Sequence, residues 1–271
     1  MRVLQSPAPC CQWARRSRWT QSSSLADMSG GVSRLDLLSS AYAHRGLWGG
    51  DVPENSLAAF RSAAEASVGC ELDVRLTRDE ELVVFHDPTL GRMCGVEGFV
   101  GEIEYAALKK SALPDGSTIP TLAEALAAMG GKPVLIEVKI EDAFARVADR
   151  VADFLENHDG PVAVMSFDER SVGRLRRRLP KHFVGQLIEP MSSLGGEQVV
   201  AKARRAVALG VNYLAPHVSS LEQVAAVEPD LPRVTWTVRE SSDLAAAQKL
   251  GAAVIFEKIS VDLAMPAKNP I

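Results

Sequence analysis

The 271-residue chain has only four cysteines, Cys10, Cys11, Cys70 and Cys94, and no two of them form a CxxC pair. Neither a disulfide framework nor a cysteine-ligated zinc site is therefore indicated. No stretch approaches the roughly 20 consecutive apolar residues that a membrane-spanning helix requires. The opening "CCQWARRSRWTQSSSLAD" is rich in Arg and Ser but lacks the apolar core of a secretion signal. The glycine-rich phosphate turn of a nucleotide-binding doubly wound sheet is missing as well. Excess positive charge is also lacking. The formal net charge is −4, and residues 1–27 hold four arginines against Asp27, which leaves −7 for the rest. An acidic body argues against nucleic acid or an anionic membrane surface as a partner.

What remains is the composition of a globular chain, 46% hydrophobic and 24% charged, long enough to bury a full core. Residues 1–27 are expected to be a disordered extension, with Met28 an alternative start, and residues 28–271 a single domain. No low-complexity linker or internal repeat interrupts that span. Nine short apolar runs read as strands: 41–44, 70–74, 82–86, 134–138, 162–167, 183–188, 212–216, 234–238 and 253–256. Helical patterns lie between them, and Thr121 with Glu124 predicts a capping box at the start of one. This alternation predicts an α/β TIM-type (β/α)8 barrel, with an open doubly wound sheet as the runner-up. The link from "CELDV" to "LVVFH" is only Arg75 to Glu81, too short for a helical crossover, so these two runs should pair antiparallel. One hairpin partner reconciles nine strands with eight barrel places. A turn around Arg78 and Asp79 would set Glu71 opposite His86 and Asp73 opposite Val84.

Charge sits where a packing strand would carry Val or Ile. Glu71 and Asp73 share a strand face, Glu137 and Lys139 share another, and His44 and His86 lie at strand ends. Unpaired buried charge costs several kcal/mol, so such a cluster implies a bound cation. Three carboxylates without cysteine suit a hard divalent ion, Mg2+ or Ca2+, over zinc. Arg45 and Lys139 add the positive charge that a phosphate group needs, and two imidazoles can exchange protons with attacking and leaving oxygens. Each residue alone has a plainer reading. His44 and His86 could be core histidines, Glu137–Lys139 a structural ion pair, and Arg45 a surface arginine. The run "RLRRRLPKH" reads as a solvated helix face, and His158 and His182 as loop residues. His217 lies at a strand end within possible reach of a substrate.

The segments "AHRG", "PENSLAAF", "ELDVRLTRDEELVVFHD", "IPTLAEAL" and "LIEVK" occur in an order that resembles the glycerophosphodiester phosphodiesterases. The resemblance is close over about the first 100 residues of the body and looser beyond. It implies a barrel that uses a divalent metal to hydrolyse glycerophosphodiesters to glycerol 3-phosphate and an alcohol. A glycerol hydroxyl would attack first to give a cyclic phosphate that water then opens. Carried over by position, it implies His44 and His86 as acid and base, and Glu71, Asp73 and Glu137 as metal ligands. Arg45 and Lys139 would contact phosphate, Glu54 and Asn55 would support the site, and Trp236 would be an aromatic residue near the substrate. Two departures stand out: Ser56 where Thr is common, and "VIFEKIS" with Glu257 where the family often shows Thr-Asp before Pro. Residues 88–119 correspond to the family's insertion and are expected to form a small cap.

Three other readings are open. An amidohydrolase on the same barrel would want an HxH pair on the first strand, which ends "AHRG" instead. A lysophospholipase D-like enzyme would share the phosphodiester chemistry. A non-catalytic binder of a phosphorylated ligand would have little use for both histidines and all three carboxylates. The expected setting is cytoplasmic, with no stable membrane insertion and oligomeric state open.

Overall fold

The computed structural model describes residues 41–139 and 144–265, so the reading of residues 1–27 lies outside the described residues. The chain begins β1 (Ala41–His44), α1 (Leu57–Glu65), then the hairpin β2 (Gly69–Leu76) and β3 (Leu82–Val84), and α2 (Leu122–Ala128). It continues β4 (Val134–Val138), α3 (Phe144–Leu155), β5 (Val162–Ser166), α4 (Glu169–Arg178), β6 (Phe183–Ile188) and α5 (Gly196–Ala208). It ends β7 (Tyr213–Pro216), α6 (Leu221–Val227), β8 (Val234–Val238), α7 (Ser241–Lys249), β9 (Ala253–Phe256) and α8 (Val261–Ala264). All nine expected strands are present.

Eight strands run parallel in the order β7-β6-β5-β4-β2-β1-β9-β8, and β3 pairs with β2 outside this path. β7 and β8 meet through two isolated parallel bridges, Leu214 to Arg233 and His217 to Trp236. Side chains stitch the same seam: Thr235 Oγ1 donates to Pro216 O at 2.9 Å and Trp236 Nε1 to Ala215 O at 2.8 Å. The result is a nearly closed (β/α)8 barrel with its helices outside, because a parallel neighbour can be reached only by a crossover that spans the sheet.

Alternation along each strand divides the core in two. Leu72, Val74, Ile136 and Val164 point outward against Phe60, Leu122, Val151 and Leu175 of the helices. Tyr42, Leu135, Met165, Leu187, Tyr213 and Ile255 point inward and fill the bore. A fully buried side chain of this size contributes about 1.5–3 kcal/mol. Gly185 has no side chain because the Tyr213 ring occupies the space a Cβ would take.

The β2–β3 pairing is antiparallel, but its register differs by one residue from the expected one. Val74 faces Val84, Arg75 faces Val83 and Leu76 faces Leu82, so Asp73 is not opposite Val84 and Glu71 is not opposite His86. The turn explains the slip. Thr77 N donates to Glu81 O at 3.0 Å and Glu80 N to Thr77 O at 3.0 Å, with Glu80 left-handed at φ 65. The loop is therefore three residues, Arg78 to Glu80, centred on Asp79, whose carboxylate accepts from Thr77 Oγ1 at 2.7 Å and Tyr105 N at 2.9 Å. A three-residue loop with a left-handed last position is the next commonest hairpin after the two-residue one.

Residues 88–119 form helical turns at Gly91–Cys94 and Tyr105–Leu108 and a 3-10 turn at Val100–Glu102. Leu90, Val100, Leu108 and Ile119 pack with Val83 and Phe85 of the hairpin into a separate small core. The expected capping box is present: Glu124 N donates to Thr121 Oγ1 at 3.1 Å, and Thr121 N to Glu124 Oε2 at 2.8 Å.

Candidate active site

The strand register brings the charged residues together. His44 of β1 is level with Glu71 of β2, and Asp73 is level with Glu137 of β4. Parallel neighbours at one level point the same way, and Glu71 and Asp73, two residues apart, share the inward face. Glu71, Asp73 and Glu137 are all buried, and each offers an oxygen within 4.8 Å of the others. Lys139, just past the end of β4, puts its ammonium 2.8 Å from Asp73 Oδ1 and 2.6 Å from Glu137 Oε1.

The loop after β1 supplies the rest. Arg45 and Asn55 both adopt left-handed backbone, φ 61 and φ 54, and Asn55 N donates to Arg45 O at 2.9 Å. Side chains rarely accept this conformation, so the loop is strained where it meets the carboxylates. The strain is offset by what it places. Arg45 N donates to Glu71 Oε2 at 3.2 Å, Asn55 Nδ2 to Asp73 Oδ2 at 2.8 Å, and the Arg45 guanidinium to Glu54 Oε1 at 2.8 Å. Gly46, at φ 83, lets α1 approach so closely that a Cβ would meet Ala59. Ser56 Oγ accepts from Ala59 N at 3.1 Å and caps α1, which is why serine can stand where threonine is common: the position needs a hydroxyl.

Both histidines have carboxylate partners on the same ring atom. His86 Nδ1 lies 2.7 Å from Asp87 Oδ1, and Asp87 Oδ2 accepts from Arg92 Nε at 2.6 Å. The Arg92 guanidinium, rising from the inserted segment, also reaches Glu54 Oε1 at 2.6 Å. His44 Nδ1 lies 2.6 Å from Glu257 Oε2, and Glu257 Oε1 accepts from Arg239 Nε at 2.5 Å. Arg75 clasps the His86 carbonyl with two bonds of 3.0 and 2.7 Å, so His86 is held at the site although the hairpin register does not pair it with Glu71.

Burial raises the Glu71 carboxyl well above its ordinary range, and the charges of Asp73 and Glu137 add to the effect. Burial also raises Glu137, against the pull of Lys139. For Asp73 burial acts upward too, but Lys139, Arg45 and His86 together hold it far below the usual carboxylate range. Burial lowers His86, helped by Lys139 and Arg45 and opposed by Asp73. The three carboxylates thus outweigh the two cations beside them. An all-oxygen, buried, over-negative cluster of this kind could hold a hard divalent ion.

Trp236 stands on the bore side with its indole N–H committed to the Ala215 carbonyl, and its ring meets Phe167 and His217 edge to face at 5.4 and 5.0 Å. His217 is therefore packed beside Trp236 at the end of β7. His158 and His182 lie in loops that lead into β5 and β6, at the opposite end of the barrel, with His182 Nε2 3.1 Å from His158 O. Two arginines of the basic run on α4 pair with α3: Arg174 binds Asp149 bidentately at 2.6 Å, and Arg178 binds Asp149 and Asp153 at 3.0 and 2.6 Å.

Residues 44–258 match the glycerophosphoryl diester phosphodiesterase family. The chain belongs to that family. A glycerophosphodiester phosphodiesterase of Caldanaerobacter subterraneus is 32% identical over 160 residues, 54% of this chain and 65% of that protein. A Bacillus subtilis glycerophosphodiester phosphodiesterase is 26% identical over 241 residues, 79% of this chain and 81% of its own. The chain thus spans just under two thirds of the Caldanaerobacter relative, and about half (53%) of a Mycobacterium tuberculosis one. Among solved structures, a phosphodiesterase of Oleispira antarctica in complex with the product sn-glycerol-3-phosphate superposes with TM-score 0.72 at 25% identity, covering 82% of this chain and 94% of that one. The Thermotoga maritima glycerophosphodiester phosphodiesterase shares the fold, with TM-score 0.64 at 23% identity over 80% and 93% of the two chains.

Asp87, Arg92, Arg239 and Glu257 were not among the expected site residues. Asp87 follows His86 directly in "FHD" and was legible as its neighbour. Glu257 stands out in the sequence only as a departure, and nothing local in "VIFEKIS" shows that the ring of strands returns it to His44.

Proposed function

We propose that this chain hydrolyses glycerophosphodiesters to glycerol 3-phosphate and an alcohol. His44 and His86 carry the protons, and Glu71, Asp73 and Glu137 hold Mg2+ or Ca2+. The observation that carries the reading is the geometry of three converging buried carboxylates beside two imidazoles, each imidazole tied by its Nδ1 to a further carboxylate. The product complex of the Oleispira relative supports the substrate class.

The donor set fits a hard dication, because three oxygens and excess negative charge are present and thiolates are not. When bound, such an ion neutralises charge that builds on the phosphoryl oxygens. The chain's own groups do the remaining work. Arg45 and Lys139 contact the phosphate, with Arg45 braced by Glu54 and Asp73 braced by Asn55. Nδ1 is engaged on both rings, so Nε2 faces the chemistry. One imidazole takes the proton of the attacking hydroxyl as its oxygen bonds to phosphorus. The other gives a proton to the leaving alcohol oxygen as its bond to phosphorus breaks, and water then opens the resulting cyclic phosphate to glycerol 3-phosphate. The Trp236 ring offers an apolar face to the glycerol carbons.

The test is glycerol 3-phosphate release by purified protein from a panel of glycerophosphodiesters, with EDTA or with added Mg2+ or Ca2+. Activity is expected to require the cation and to be lost in His44→Ala and His86→Ala. Turnover indifferent to chelation, or surviving both substitutions, would overturn the reading.

A further inference from the structure

The two site histidines are braced in matching ways from unrelated parts of the chain. Asp87 is adjacent to His86 in sequence and is held from behind by Arg92. Glu257 lies 213 residues from His44 and is held from behind by Arg239. β1 pairs with β9 as Ala43 to Phe256, so the next residue on each strand brings His44 level with Glu257. Glu257 N also donates to Val238 O at 3.1 Å, which fixes its backbone against the end of β8, where Arg239 follows. One carboxylate thus joins the C-terminal ends of three neighbouring strands. Its side chain is only 9% exposed, against 46% for Arg239. A nearly buried carboxylate is costly to desolvate, and here both its oxygens are matched to donors. The His44 hydrogen bond, seconded by Arg239, lowers its carboxyl to about 2, so it remains an anion across the working range.

We propose that Glu257, anchored by Arg239, is a positioning residue for His44: it fixes the ring rotamer and keeps the proton on Nδ1, so that Nε2 presents its lone pair to the substrate. An imidazole's tautomer is set by the hydrogen bond its other nitrogen makes. Without Glu257 the ring is free to rotate and to move its proton to Nε2, which is then the wrong atom to accept one. The kinetic part of this proposal rests on the phosphodiesterase reading; the ring geometry does not.

The experiment joins kinetics to NMR of the imidazole nitrogens. In the wild type with its imidazoles neutral, His44 is expected as the Nδ1–H tautomer. In Glu257→Met that signal should shift towards Nε2–H, and kcat should fall about 10- to 100-fold with KM changed less than twofold, the range for losing such a brace. Glu257→Asp, which restores an anion, should recover part of both. Arg239→Gln, which leaves the carboxylate in place, should give a smaller loss and reports on the brace even if Glu257→Met fails to fold. An unchanged His44 tautomer in Glu257→Met, or in Arg239→Gln with kcat at the wild-type level, overturns the proposal. Wild-type protein inactive on every diester would sink the phosphodiesterase reading instead, and the nitrogen spectra would still decide the role of Glu257.

Discussion

Replacing Lys139 with methionine keeps most of the side-chain volume and removes the ammonium that lies between two of the three carboxylates. The lost contacts are 2.8 Å to Asp73 and 2.6 Å to Glu137, and the lysine side chain is only 11% exposed. Removing one partner from a buried ion pair costs about 3–5 kcal/mol, because it leaves a buried charge uncompensated. Arg45, 3.4 Å from Asp73, remains, and Glu137 can take up a proton, so the lower figure applies. At about 2–4 °C per kcal/mol for a chain of this size, Lys139→Met should melt roughly 6–12 °C below the wild type in EDTA. A divalent cation at 100 times its dissociation constant restores about 2.7 kcal/mol. Its stabilising effect should be larger in the variant, because the resident positive charge no longer competes. Diester hydrolysis should nonetheless fall, since Lys139 also contacts the phosphate in the proposed reaction. Thermal melts across an Mg2+ or Ca2+ titration check this. Equal midpoints of the two proteins in EDTA, or equal shifts on adding the ion, would refute the reasoning.

Burial and the neighbouring carboxylates raise the Glu71 carboxyl, so a cation that binds it should draw off a proton and metal affinity should rise with pH. Calorimetry in buffers of different ionisation enthalpy should show that release, and its absence in Glu71→Gln. Asp87 titrates at about 2 in the folded protein, held down against burial by Arg92 and His86. Its contribution to stability is therefore complete above the unfolded carboxyl value near 3.8 and disappears as pH falls towards 2. The stability gap between wild type and Asp87→Asn should close over that window, as read by denaturant titrations at successive pH values. Gly185→Ala drives a methyl into the Tyr213 ring and should cost about 1–3 kcal/mol in a thermal melt without altering the site residues.

The site's inner half could be read from the strands because a strand has a side-chain period of two. Glu71 with Asp73, and Glu137 with Lys139, each had to share a face, and a charged face on an apolar strand has few uses. Asn55 and Glu54 were legible only through the resemblance, because their roles depend on a left-handed loop that doubles back on Arg45 and Asp73. The hairpin shows how narrow the margin is. A two-residue and a three-residue turn are both compatible with "TRDEE", and the choice hangs on whether Glu80 can go left-handed with Asp79 tied to Thr77 and Tyr105. Tyr105 lies in the inserted segment, beyond the reach of any local reading.

Composition, periodicity and turn chemistry determined the strands, the helices, their alternation and the capping boundary at Thr121, because these depend on neighbours within about four residues along the chain. The strand register across the hairpin, Arg92 reaching back to Asp87 and Glu54, and Glu257 meeting His44 were decided only when the ring of strands came together. Closing a barrel places the ninth strand beside the first, and no local interaction along the chain encodes which two side chains then share a proton.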